Sequence, residues 1–145
     1  EFVRKLKHQN VRLRVFAFEP EYHDGRDAAL AQSIRTFHLN NPTFSIIALM
    51  GNIHASQTPF QVGGKQIVTT GTLLKDLNPT SVFIAYVKGT VWVCMPDCGI
   101  HEVRSEWGAS EKAGFVDEAP WPGYSKSYVL SSITASPPAV DALPN

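Results

Sequence analysis

Phe44-Ser45-Ile46-Ile47-Ala48-Leu49-Met50 is an apolar run that stops abruptly at Gly51-Asn52-Ile53-His54, so that an amide and an imidazole come directly after a hydrophobic segment. The run is too short to span a bilayer, is rich in β-branched and aromatic residues, and is bounded by turn formers. This pattern predicts a strand covered on both faces, the kind found inside α/β sheets. In open α/β sheets, ligands collect at the carboxyl ends of the strands. Gly51, Asn52 and His54 are therefore expected at the mouth of a cleft rather than in the core.

The elements around this run complete a βαβ unit. Residues 2–8 have amphipathic helical spacing, and residues 11–18 alternate as a strand does. The pair Asp24-Gly25 can start a helix through Ile34 toward Leu39, with Leu30, Ile34 and Phe37 on one stripe and Asn40-Asn41-Pro42 as its stop. A right-handed crossover would make the two strands parallel and open their carboxyl ends on one edge. Glu19, the Asp24-to-Asp27 turn, Asn52 and His54 would then meet there. A carboxylate, a guanidinium, an amide and an imidazole in one cleft suit acid/base chemistry, anion binding or metal ligation. The same residues also have plain roles: Asp24 as a helix cap, Arg26 and Asp27 as a solvated first turn, His54 as a satisfied loop residue.

Charge excludes one class of partner. The 13 basic and 13 acidic residues balance, and no Lys/Arg cluster follows a face, so the electrostatic footprint of a nucleic-acid binder is missing. No stretch reaches the length of a membrane-spanning helix. The 145 residues fit one domain. The expected fold class is α/β, a mainly parallel central sheet with flanking helices and an antiparallel hairpin at its edge. Residues 1–139 form the domain and 140–145 a tail.

Further along, residues 56–66 read as a polar loop able to cover the cleft. Gly63-Gly64-Lys65 is not a phosphate loop, since Pro59 stands where the first Walker glycine belongs and Gln66 where the hydroxyl belongs. Residues 71–77 read as a short helix. Residues 81–86 read as a strand whose hairpin partner is 91–94, turning at Lys88-Gly89, and 128–133 as the last strand. Trp107, Trp121, Tyr124 and Tyr128 suit either a ligand pocket or a core. Cys94 and Cys98, with Pro96 between them and His101 beyond, can form a small disulfide loop, part of a zinc site, or two free thiols. The tight proline-bearing loop best suits the bridge, which would imply an oxidising compartment.

The order of several short motifs carries a resemblance. Gly25-Arg26-Asp27 at a helix start, Gly51-Asn52-Ile53-His54 after an apolar strand, then Thr72-Leu73-Leu74 and Ile133-Thr134-Ala135-Ser136-Pro137 resemble the Tiki superfamily. It groups Tiki-type proteases, erythromycin esterases and iron-regulated haem-binding lipoproteins. The resemblance runs from about Val11 to Ala139 and implies an α/β core with a histidine, an arginine and an acid at the site. It also implies a first glycine-glutamate and histidine motif before Val11, where this chain has no residues to hold it. The chain is therefore expected to be the carboxyl-terminal part of a longer protein, lacking its N-terminal strand and first motif.

On that resemblance the expected function is a hydrolase-like activity on an unknown substrate. His54 would serve as base or ligand, Arg26 as stabiliser of a developing anion and Asp27 as the orienting group, with Glu19, Asn52 and Gly51 binding the ligand. A divalent metal or haem is the cofactor it suggests. The partners would be a small-molecule or peptide ligand and the N-terminal segment of the same protein. The alternative is a haem or other small-ligand binding protein without catalysis, with His54 as an axial ligand. The cysteine loop and the resemblance both point to a periplasmic or secreted protein.

Overall fold

The computed structural model describes residues 8, 25–94, 97–107 and 112–136. The predicted helix over 2–8 (save His8), the strand over 11–18, Glu19, Asp24 and the tail after 136 lie outside the described residues.

Helix α1, Arg26–Asn40, forms where the sequence predicts it. Gly25 is its N-cap at φ 106°, and Leu30, Ala31 and Ile34 are the buried stripe. Asn41 ends it twice over: its N–H donates to the His38 carbonyl, and its side-chain amide donates to the Phe37 carbonyl at 2.9 Å. Pro42 cannot continue the helix. Arg35 then ties α1 to the chain beyond the site. Its guanidinium grips both oxygens of Asp76 at 2.6 and 2.8 Å and donates to the Leu73 carbonyl at 2.8 Å.

The run over 44–50 departs from expectation. Among the described residues it joins no sheet. Ala48 and Met50 pack against the core of Ala31, Ile34 and Leu74, while Ile47 and Leu49 are 89% and 90% exposed. The segment is thus covered on one face rather than two, and the parallel partnership expected of it is not formed within the described residues.

Beyond this run the chain forms short elements: α2 (Asn52–Ala55), β1 (Phe60–Val62), β2 (Lys65–Ile67), α3 (Thr70–Leu73), a 3-10 turn over Lys75–Leu77, β3 (Val82–Tyr86), β4 (Lys88–Cys94), β5 (Cys98–Arg104), β6 (Gly114–Val116) and β7 (Lys126–Leu130). Among the described residues seven strands make three small sheets, β1-β2, β3-β7-β6 and β4-β5. Among these strand pairs β3-β7 is parallel and the others antiparallel, and Gly89 and Ile133 add an isolated parallel bridge. The expectation of a mainly parallel central sheet with flanking helices is therefore wrong. The strands are too short and too evenly split among sheets for a doubly wound architecture, and one helix of 15 residues is the only long one among the described residues.

Two further expectations are corrected. Residues 56–66 are not simply a loop, because β1 and β2 form a hairpin turning at Gly63 and Gly64, both at positive φ. Lys88-Gly89 is not a hairpin turn either. β4 pairs with β5 from Lys88↔Arg104 to Cys94↔Cys98, so the turn lies at the cysteines. Gly89 is needed for a close approach instead. At φ 149° it admits the backbone of Ile133 where a Cβ would stand, its neighbour Lys88 accepting from Ile133 N–H and Thr90 N–H donating to the Ile133 carbonyl, each at 3.0 Å.

The second core lies on the three-stranded sheet. Phe83, Ala85 and Val129 are buried there with Trp107, Val116 and Tyr124 packed against them. Trp107, Trp121 and Tyr124 meet Phe83 edge to face, with ring centroids 6.4, 5.1 and 5.2 Å away. Trp107 and Tyr124 close this core, whereas Trp121, 38% exposed, lies at its rim between Phe83 and Phe60, and Tyr128 packs on Phe115.

Candidate functional site

Asp27 lies in the first turn of α1, where a carboxylate is favoured by the helix dipole. His54 lies on α2, which starts immediately after Gly51. The two side chains meet: His54 Nδ1 is 2.9 and 3.0 Å from the Asp27 carboxylate oxygens. The carboxylate also accepts from the Thr70 N–H at 2.6 Å and from the Thr70 hydroxyl at 2.7 Å. Thr70 opens α3, so its N–H has no partner within that helix and is available to the acid. Asp27 thus gathers three elements, α1, α2 and α3, at one point.

The electrostatics arise from this geometry. Burial pushes the Asp27 carboxyl up, but the hydrogen bonds from the Thr70 hydroxyl, His54 and the Thr70 amide outweigh it, and the group is held below the usual carboxylate range. Asp27 is therefore ionised at neutral pH and can only accept hydrogen bonds. A neutral His54 must then carry its proton on Nδ1 and present the lone pair of Nε2. The Asp27 side chain is 12% exposed and the imidazole 29%, so the acid is sheltered while the ring still reaches solvent. A sheltered carboxylate on Nδ1 with an accessible Nε2 is an arrangement able to take a proton from water or to ligate a metal.

Neighbouring groups fix the imidazole. Gly51 caps α2, its carbonyl accepting from the N–H groups of His54 at 3.0 Å and Ala55 at 3.2 Å. A Cβ at Gly51 would lie 3.6 Å from the ring's Cδ2, so little room separates this backbone from the imidazole edge. Asn52 uses its side chain on protein: the amide donates to the Ile84 carbonyl at 3.0 Å and accepts from the Ile84 N–H at 3.2 Å, capping the edge of β3 as a neighbouring strand would. The Tyr124 hydroxyl donates to the Asn52 carbonyl. Burial pushes that hydroxyl up to about 12. Behind α2, the buried Thr69 hydroxyl donates to the Ser56 carbonyl at 2.5 Å, and Gly71 leaves room for the carbonyls of Ala55 and Ser56.

Of the residues singled out in the sequence, the structure brings Asp27 and His54 into direct contact; Arg26, partly buried, precedes Asp27 as the first residue of α1. Gly51 supports the ring, Asn52 holds β3, and Glu19 lies outside the described residues. Thr70 was missed. It is distant in sequence from Asp27, and its hint was the hydroxyl run Thr69-Thr70-Gly71-Thr72, in which Thr69 caps α3 by accepting from the Thr72 N–H; Tyr124, expected in a pocket or a core, packs in the second core and also reaches the Asn52 carbonyl.

Cys94 and Cys98 are joined in a disulfide at the tip of the β4-β5 hairpin, so their sulfurs are not thiolate ligands for zinc. His101 Nε2 is 3.1 Å from the Asp97 carbonyl. Among the described residues no three or more His, Cys, Asp or Glu side chains gather as a metal site, and no helix is long and apolar enough to cross a membrane. No family model, curated protein or solved structure matches this chain.

Proposed function

We propose that the chain is a hydrolase-like protein in which His54 acts as general base on water, Asp27 orients and polarises the imidazole, and Arg26 offsets the negative charge that develops on the substrate. The observation that carries this reading is the pinned imidazole, with Nδ1 held by a sheltered carboxylate that is itself fixed by two bonds from Thr70. Such a carboxylate both selects the tautomer and stabilises the imidazolium formed when Nε2 takes a proton. The substrate class is an ester or amide in a small molecule or peptide. The disulfide belongs with an oxidising compartment, so the proposed setting is the periplasm or the extracellular space.

Hydrolysis of p-nitrophenyl acetate by the folded chain and by His54→Ala tests the reading. The base contributes about a hundred- to ten-thousand-fold, so His54→Ala should remove nearly all turnover above the background of the other histidines, which the variant keeps. Arg26→Ala should lower kcat far more than it raises KM. Equal rates for the parent and His54→Ala would overturn the proposal. Haemin titration supplies the contrast: a new visible band lost in His54→Ala, without ester turnover, would make the same imidazole an axial ligand instead.

A further inference from the structure

The parallel pair β3–β7 delivers two chain ends to one place. Its last register pair is Tyr86↔Leu130, and the chain just beyond those ends supplies Lys88 and Ser132 to a cleft of about 230 Å³. Gly89, Thr90, Glu102 and Arg104 complete the part of the lining that matters here. None of these residues belongs to the Asp27–His54 site.

The charges in this cleft are arranged against each other. Lys88 and Arg104 are directly opposed in the β4-β5 register, both exposed. Like charges facing across a strand pair destabilise it. Among the described residues neither forms an ion pair, and Glu102, two register pairs further along opposite Thr90, pairs with neither. The floor is rigid backbone, since Gly89 and Ile133 are locked together by the two 3.0 Å bonds that flank them. Donors are also in place. The Thr90 hydroxyl oxygen accepts from the Ala135 N–H at 2.9 Å, which leaves its proton to give, and the Ser132 hydroxyl makes no hydrogen bond among the described residues.

We propose that this cleft binds the phosphate of a small phosphate monoester. Lys88 and Arg104 approach it from the two strands, the Thr90 and Ser132 hydroxyls donate to it, and Glu102 accepts from an amino group carried on the same ligand. A dianion between the two cations turns their repulsion into attraction, and the planar guanidinium fork matches the phosphate oxygens.

Amide-detected NMR titration of the whole chain tests this, with inorganic phosphate and O-phosphoethanolamine as probes. Saturable shifts are expected at Lys88, Gly89, Thr90, Arg104 and Ser132, weakened at least about tenfold in Arg104→Gln and in Lys88→Gln. Phosphoethanolamine should bind more tightly than inorganic phosphate, and Glu102→Gln should erase that advantage. No saturation in the unaltered protein, shifts reproduced by sodium chloride at equal ionic strength, or undiminished binding in both glutamine variants would overturn the site. An advantage that survives Glu102→Gln would overturn the role given to Glu102. Should either variant not fold, the titration of the unaltered protein still decides.

Discussion

Replacing Asp27 by Asn removes one charge and changes little else, which makes it the sharpest probe of the site. The carboxylate accepts four short contacts: Thr70 N–H at 2.6 Å, Thr70 hydroxyl at 2.7 Å and His54 Nδ1 at 2.9 and 3.0 Å. Asn keeps one acceptor oxygen, which Thr70 can hold, and turns an NH₂ toward Nδ1. Hydrogen bonds to a charged group are worth about 1.5–3 kcal/mol and neutral ones about 1. Weakening two bonds from Thr70 and inverting the one to His54 should therefore cost about 2 kcal/mol at neutral pH. The pH dependence gives the sign. The Asp27 carboxyl is held below 3.8 in the folded protein, so its contribution is present above the unfolded value and is lost as pH falls through the folded one. Urea unfolding of both proteins at neutral pH and at about pH 3 should then show the gap shrinking with acid. Asp76 and Asp117, also lowered by their Arg35 and Lys126 partners, are common to both chains and cancel in the difference. A second readout is the His54 tautomer, which ¹⁵N shifts should report as Nδ1–H in the parent and Nε2–H in the variant. A stability gap that ignores pH, or an unchanged tautomer, would refute the reasoning.

Two other outcomes rest on the packing. Because burial raises the Tyr124 hydroxyl from 10.0 to about 12, the neutral phenol's contribution is complete below the unfolded value and is lost as pH rises between the two. The shift corresponds to about 3 kcal/mol in full, reduced to about 1 by partial exposure. Alkaline unfolding curves should show this loss in the parent and not in Tyr124→Phe, which never ionises there. The second outcome concerns the hairpin, which has no extensive contact with another element among the described residues. A free two-stranded hairpin is marginal in water, and closing so short a ring is worth about 2 kcal/mol in chain entropy. Joint Cys94→Ser and Cys98→Ser substitution should speed amide exchange over Lys88–Arg104 while leaving β3 and β7 protected; global unfolding instead would show that the hairpin is part of the main cooperative unit.

How much of this was legible depended on how far each decision reached along the chain. The helix Arg26–Asn40 was readable because what fixes it is local: Leu30 and Ile34 of the expected stripe are buried, joined by Ala31 in place of Phe37, and Asn40-Asn41-Pro42 is the stop. The Cys94–Cys98 bridge was readable for the same reason. The run over 44–50 was misread because composition cannot say how many faces are covered. Ala48 and Met50 turn inward, whereas the equally apolar Ile47 and Leu49 stay exposed. Lys88-Gly89 misled through an ordinary rule. Glycine there usually marks a turn, but here it admits the backbone of Ile133, 44 residues later, a demand the local sequence does not encode.

The candidate site divides along the same line. Asp27 and His54 could be suspected individually, since each comes after a glycine-bearing turn at a helix start. Their contact spans 27 residues, and the clamp from Thr70 spans 43. What could be read was therefore the chemistry, and what could not was the aim. That distinction has physical weight, because an imidazole on a four-residue helix has little rigidity of its own. Its direction is set by a carboxylate that α3 holds from the other side and by Asn52, which locks α2 to Ile84. Removing the Thr70 clamp should thus loosen the ring while leaving every acid and base in place, so a catalytic role for His54 depends as much on a threonine as on the histidine itself.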